Sequence, residues 1–419
     1  MVALVAALVA FLAAPSWAQS GADGPEIAVN TYTASEQSQP VIGMAADGRF
    51  VVVWTSAGQD GDGFGVYGQR FDAAGAPQAA EFRVNTTTAK RQWQPAVGMA
   101  ADGRFVVLWT GDAQEGDGSS IYSQYFGADG TPLEAEGILS QSPSGRQREP
   151  AIGMAPDGRF VVAWTDNGLD GDNDGVFAVL YDADRQPLGP AFQVNTTSVG
   201  VQGQPTVGMA ADGRFVIAWS SAGQEGAAST MADTSNVYAR GFDPSGIPWS
   251  DEFRVNATTA SIQWQPAVGM AADGRYVIAW TSTNQDGDAD GVYAQLYDLD
   301  GMLRGSEFRV NTTTANWQHQ PDVGMAPDGR FIVAWTSDGQ DGSGDGIYAQ
   351  PYAADGTPLT QEARMNITIA RNQRGPSVAA GRGEHIVIAW TSNSSGTADV
   401  VVRQISLSAP LSASMPATR

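Results

Sequence analysis

Seven tryptophans set the frame of this chain. Trp54, Trp109, Trp164, Trp219, Trp280, Trp335 and Trp390 each close a phrase such as RFVVVW or RFVVAW. They stand 55, 55, 55, 61, 55 and 55 residues apart, the longer step coming from an insertion in GQEGAASTMADTSNVYAR. A fixed period means that one supersecondary unit is copied along the chain, each copy burying an apolar face against its neighbours.

Each repeat reads as four short strands. In the first, PVIGMAA is followed by the hairpin signal Asp47–Gly48,. RFVVVW is β-branched, aromatic and apolar on both faces, which predicts burial between two neighbouring sheets. An acidic loop, the strand VYGQRFD, a Gly-containing turn and the strand EFRVN complete the unit. No segment has a helical period. The expected fold class is therefore all-β: a seven-bladed β-propeller with four antiparallel strands per blade.

The ends of the chain predict how such a ring closes. The last repeat lacks EFRVN, while EIAVN (Glu26 to Asn30) stands alone near the start. Asn30 precedes Trp54 by 24 residues, the interval that also separates Asn85 from Trp109 and Asn311 from Trp335. The N-terminal strand is thus expected to close the last blade, tying down both termini. Around the propeller, residues 26–406, the reading places a signal peptide (1–18), a short linker (19–25) and a disordered tail (407–419). The apolar run before Ala18 is too short to span a membrane comfortably. A cleaved signal implies a secreted or periplasmic protein without membrane insertion, here expected to be a monomer.

The chain carries 45 acidic against 23 basic residues, a formal net charge of −22, which disfavours nucleic acid as a partner,. It has no cysteine, so disulfides, thiolate nucleophiles and zinc–thiolate sites are excluded,. The pattern Q-x-x-P, D-G-x-F-V-V-x-W, Q-D-G, G-V-Y-x-Q-x-F-D, E-F-x-V-N-T-x-T resembles repeats of secreted bacterial surface proteins of the haemolysin-type, calcium-associated kind. The resemblance covers nearly the whole mature chain. It implies a propeller-like binding or adhesion module and a calcium association, although the glycine-rich nonapeptide calcium repeats of that setting are missing here.

In an up-and-down blade, alternate connections share a face. The acidic loops and the inter-blade linkers therefore meet on one face, where propellers usually bind ligands. Counting back from each tryptophan, glutamine stands at −17 and proline at −14 in all seven repeats. Identity in every blade points to scaffold, the glutamine tying linker backbone; a ring of amides for a polar ligand is the alternative. Position −16 varies: Ser38, Trp93, Arg148, Gly203, Trp264, His319 and Arg374. Aromatic and arginine side chains on a loop face suit a ligand, so Trp93, Arg148, Trp264, Trp317, His319 and Arg374 are the candidate ligand-binding residues. Plain loop tips are the competing reading.

The acidic loops of repeats three and five read D-x-D-x-D-G, at Asp170, Asp172, Asp174 and at Asp286, Asp288, Asp290. Alternate carboxylates can converge on calcium, the one cofactor expected; the alternative is a solvated acidic turn. The channel-lining strands read as free of a polar constellation. The expected function is a non-enzymatic module binding extracellular glycan or protein. A glycoside hydrolase on the same face, using acidic loop residues with Arg148 and Arg374, and a purely structural surface protein are the alternatives.

Overall fold

The computed structural model describes residues 24–112, 118–140, 145–224 and 235–407. The expected signal peptide and all but the first residue of the expected tail lie outside them, as do Glu115, Asp117 and Glu225 of the acidic loops. Among the described residues there are strands and no helices. Among the described residues no helix is long and apolar enough to cross a membrane.

Each repeat forms a four-stranded antiparallel unit in the expected order. In the first, Gln37–Met44, Phe50–Ala57, Phe64–Phe71 and Pro77–Arg83 pair in sequence. The units of repeats three and four join through a single parallel pair, Asp174 with Val201. The outermost strand shrinks to two residues in repeats two, three, four and six. There a proline two residues past the turn makes one isolated bridge, as Pro132 does with Phe126, and the chain then leaves the ladder,.

The last sheet is completed as expected: Glu26–Ala28 pairs with Asp399–Ser406, with Ile27 opposite Val402. Asn30 then accepts the Val400 N–H (2.7 Å), as Asn85 accepts that of Val66 (2.8 Å) within repeat one. Glu26 also accepts the Ile367 N–H of the preceding linker (2.6 Å).

The second strands carry the core. Val51, Val52, Val53 and Trp54 are fully buried, and the other repeats match them. Burial on both faces follows from sheets stacking side by side, each interface holding one apolar cluster,. The first strands pack against one another, including Gln373–Ala380 against Gln37–Met44. Glycine makes that approach close: a Cβ at Gly324 would lie 2.5 Å from Val378 Cγ1, and one at Gly208 2.5 Å from Val268 Cγ1. The DGR turn is also structural. Arg49 Nε donates to Asp47 (2.7 Å), and its guanidinium reaches the Asp102 carbonyl of the next repeat (3.4 Å).

Candidate functional site

The loop face is built on the first strand of each repeat. Its −17 glutamine is buried throughout. Gln92 Nε2 donates to the Ala89 carbonyl (2.9 Å), while its Oε1 accepts from Asn85 Nδ2 (3.2 Å). Gln37 Oε1 accepts the Trp54 indole N–H (2.9 Å). These amides are occupied by the scaffold.

Two residues on, the backbone is strained. Gln39, Gln94, Glu149, Gln204, Gln265 and Gln320 have φ between 52 and 56°, and Gly375 has φ 60°. A bulge falls there in every first strand. Left-handed backbone at non-glycine residues has an energetic cost and needs compensating contacts. Gln39 Oε1 supplies them by accepting from Thr55 Oγ1 (3.0 Å) and from the Gln94 N–H of the next repeat (3.2 Å). Gln94 does the same toward Thr110 and Glu149. Positions −17, −16 and −14 stood out in the sequence; the −15 glutamine, which links neighbouring repeats, did not.

The −16 residues all occupy the same register. Trp93 pairs with Thr110, Arg148 with Thr165, Trp264 with Thr281, His319 with Thr336 and Arg374 with Thr391. Trp317 instead lies on the linker and is 57% exposed. The two arginines are not bare. Arg148 pairs with Asp174, and Arg374 with Asp345, both acids being buried. His319 is half-buried, and the desolvation holds its imidazole below its ordinary pKa although Asp345 and Asp290 pull it upward,. Repeats five to seven thus gather a histidine, two carboxylates and an arginine in one sector of the loop face.

The carboxylates expected to bind calcium are spent on separate partners. Asp170 Oδ1 accepts the Asp172 N–H (3.2 Å), and Asp172 Oδ2 accepts the Gly200 N–H of the next linker (3.0 Å). Asp174 faces Arg148 and Asn167. In repeat five, Asp286 accepts from Asn311 Nδ2 (3.2 Å), Asp288 from the Asn316 N–H (3.0 Å) and Asp290 from Thr283 Oγ1 (2.7 Å). Among the described residues no three His, Cys, Asp or Glu side chains group as a metal site would require. The alternation that puts such carboxylates in one line sends them, in this loop, to the turn, the linker and the neighbouring strand.

The first strands, read as free of a polar constellation, carry one carboxylate, Asp322. The position after the −14 proline is Val41, Ala96, Ala151, Thr206 and Ala267 in repeats one to five, then Asp322 and Ser377. Asp322 Oδ2 accepts the Val378 N–H of repeat seven (2.7 Å), and Ser377 Oγ accepts the Ile42 N–H of repeat one (3.3 Å). Asp322 keeps part of its surface open, yet the protein packed round it pushes its pKa up to about 6, burial outweighing its hydrogen bonds,. Among the carboxylates with a resolved shift, none other is raised as far. Comparing the repeats position by position is the signal that finds it.

No protein-family model and no curated protein matches this chain. Solved structures resemble it at low identity. A protein of unknown function from Dyadobacter fermentans aligns at 10% identity and TM-score 0.54, over 91% of this chain and 98% of that one. The phage phi92 endosialidase aligns at 9% identity and TM-score 0.52, over 95% and 71%. An α-L-arabinanase from Penicillium chrysogenum, solved with arabinobiose, aligns at 12% identity and TM-score 0.51, over 76% and 94%. At such identities the likeness concerns the fold, a β-propeller-type repeat architecture. It also corrects the expectation of a non-enzymatic module. Two of the proteins that share it, the endosialidase and the arabinanase, are by name enzymes that cleave glycans, so the fold gives no ground for reading the module as non-enzymatic.

Proposed function

We propose that this chain is a secreted, glycan-active enzyme of the glycoside-hydrolase kind. In this reading residues 26–406 form a closed ring of seven four-stranded blades, and the chemistry sits on the axial side of repeats five to seven. The observation that carries it is Asp322, the single carboxylate among otherwise apolar or hydroxyl residues at its position, its pKa pushed up to about 6 by burial. Glycosidic cleavage needs such a proton donor for the leaving oxygen, and an ionised carboxylate on the other side of the sugar. Asp290 and Asp345 are the candidates for that second part, one bonded to Thr283 and the other to Arg374. His319, kept neutral by burial, and Arg374 would supply hydrogen bonds to sugar hydroxyls,.

The test is release of reducing ends from linear arabinan and from a sialic acid polymer, the two polymer classes suggested by the names of the similar enzymes. The expected result is hydrolysis of at least one, with a rate that falls as pH rises through about 6 and drops about 100-fold or more in Asp322→Asn. Circular dichroism of the variant controls for folding. No release from either polymer, or an Asp322→Asn rate equal to that of the wild type, would overturn the reading.

A further inference from the structure

We propose that a second site, on the face of the Asp-Gly turns and away from the loop face, takes a fatty-acid-like ligand: one alkyl chain with a carboxylate head. The observation is a cavity of about 480 Å³ to which all seven repeats contribute. Its wall is a belt of methionines, Met44, Met99, Met154, Met209, Met270 and Met325, each at the same position of its repeat and each half-buried. Alanine and proline complete the rim, except in repeat seven, where Arg382 is the one charged side chain of the lining. The volume lies within the range of small-molecule pockets, roughly 300–1,000 Å³.

The belt and the rim are set by the fold. Each methionine packs one side into an apolar cluster between repeats, Met44 against that of Trp54 and Val387, Met325 against that of Trp335. The rest of the side chain borders the cavity. The rim is tied from repeat to repeat through its backbone. Ala46 N–H donates to the Ala101 carbonyl (3.4 Å), Ala101 N–H to that of Pro156 (3.1 Å) and Ala211 N–H to that of Ala272 (3.3 Å). A cavity held open in this way needs little ordering to admit a ligand. The thioether is polarizable and the side chain adaptable, so a belt of methionines accepts an alkyl chain without demanding one fixed shape.

Repeat seven departs from the other six at successive positions of this mouth. Where repeat one reads Met44-Ala45-Ala46-Asp47, it reads Ala380-Gly381-Arg382-Gly383. Alanine at 380 leaves the wall one methionine short. Glycine at 381 lets Met44 keep its place in the belt, since a Cβ there would lie 2.9 Å from Met44 Sδ. In the other repeats the acid of the turn is held by the arginine two residues on, as Asp47 is by Arg49 and Asp328 by Arg330. Gly383 and His385 replace both in repeat seven, so Arg382 has no such acid beside it. Glu384 is turned elsewhere, to Ser406 Oγ (3.1 Å) and Arg330 (3.9 Å). Arg382 is exposed and makes no ion pair among the described residues. The chain beyond Leu407, whose N–H donates to the Glu384 carbonyl (2.8 Å), contains no acidic residue that could neutralise it. A guanidinium at the edge of an apolar cavity suits a carboxylate head, while the alkyl chain gains by leaving water for the methionines.

The experiment is titration of the full chain, labelled at the methionine methyl groups, with decanoate and, separately, with 1-decanol, read by calorimetry and by methyl NMR. Decanoate is expected to shift the signals of the belt methionines but not that of exposed Met302, and to bind about 10-fold more tightly than decanol,. Arg382→Ala, copied from Ala46, should weaken decanoate about 10-fold and leave decanol unchanged. Ala380→Met, copied from the other six repeats, should fill the wall and weaken both ligands about 10-fold. No binding of decanoate, unmoved belt signals, decanol bound as tightly as decanoate, or either variant binding decanoate like the wild type would each overturn the proposal. Binding of decanoate only by a chain cut after Leu407 would assign the cavity to the chain's own end and overturn it too. None of these measurements reads hydrolysis, so failure here leaves the enzyme reading to its own test.

Discussion

The strands Gln37–Met44 and Gln318–Met325 have nearly the same backbone and opposite chemistry. Both begin with a buried glutamine, both turn left-handed at the third residue (φ 56° at Gln39, 55° at Gln320), and both pack a glycine against the next repeat. Yet the first carries Ser38 and Val41 where the second carries His319 and Asp322. The bulge, the glutamine bonds and the glycine contact carry the fold, and they recur in most repeats. The two positions between them carry none of that, so they are free to differ. Function in a set of copies therefore has to be sought where the copies disagree.

The largest effects should come from what the two repeats share. Trp54 and Trp335 are both fully buried wedges between sheets. Replacing either by alanine should cost about 3–5 kcal/mol, read from urea unfolding. Their difference is finer. The Trp54 indole N–H reaches Gln37, whereas Trp335 Nε1 is buried without a partner, because Gln318 Oε1 is taken by Asn311. Phenylalanine at 54 should thus cost about 1 kcal/mol more than phenylalanine at 335. Equal costs would mean that the glutamine bond to tryptophan contributes nothing.

That division also explains what could be read from the sequence. The period, the four strands, the Asp-Gly turn and the pairing of Glu26–Ala28 with the last sheet were legible, since each depends on residues repeated in every copy. The candidate site was legible only in part. Position −16 was found because its residues are conspicuous, and the structure does place them in one register. It could not be read that Arg148 and Arg374 already hold Asp174 and Asp345, since those pairs are set by which strands lie side by side. Nor could the D-x-D-x-D spacing tell that the carboxylates of Asp170, Asp172 and Asp174 meet separate neighbours. Asp322 was missed because it was judged with its strand and not against the same position in the other strands.

Asp322 gives the next effect in size. Its carboxyl titrates at 3.8 as a free group and at about 6 in the folded protein. Between those values the native state holds more of the proton than the unfolded chain does. Its contribution is therefore fully present below about pH 4 and is lost as pH rises through about 6. The difference corresponds to about 3 kcal/mol at most. Asparagine keeps an acceptor for the Val378 N–H but cannot ionise. Asp322→Asn should match the wild type near pH 4 and exceed it by about 1–3 kcal/mol above pH 7, measured by chemical denaturation across pH. Valine at the same position, copied from Val41, should remove the same dependence. A wild type whose stability relative to Asp322→Asn does not change over this range would show that the carboxyl is solvated like a surface one.

Packing between first strands ranks third. A Cβ on Gly324 would stand 2.5 Å from Val378 Cγ1, but one on Gly43 would meet Val97 and Met99 no closer than 3.2 Å. Neither glycine has a positive φ, so the contrast is one of space alone. Gly324→Ala should cost about 1–3 kcal/mol and Gly43→Ala less than about 1 kcal/mol. Equal midpoints in urea would mean that the seam of repeats six and seven, which holds Asp322, yields as easily as that of repeats one and two.

The smallest effect tests whether the seventh repeat is a weakened copy or a different one. Gly375 stands where six repeats have glutamine or glutamate, and its φ of 60° matches theirs. Nothing lies within 4 Å of where its Cβ would be, so a side chain there meets no obstacle. Glycine removes the local strain but also the amide that in other repeats accepts from Thr55 or Thr110. In repeat seven, Thr391 occupies the matching place opposite Arg374. Gly375→Gln restricts the unfolded chain and offers Thr391 an acceptor, against a cost for left-handed glutamine of about 1 kcal/mol. The terms nearly cancel, so the melting midpoint should move by less than the equivalent of about 1 kcal/mol in either direction. A larger loss would mean that the position beside Arg374 is kept open by selection against bulk, and would bring Gly375 into the same sector as His319 and Asp345.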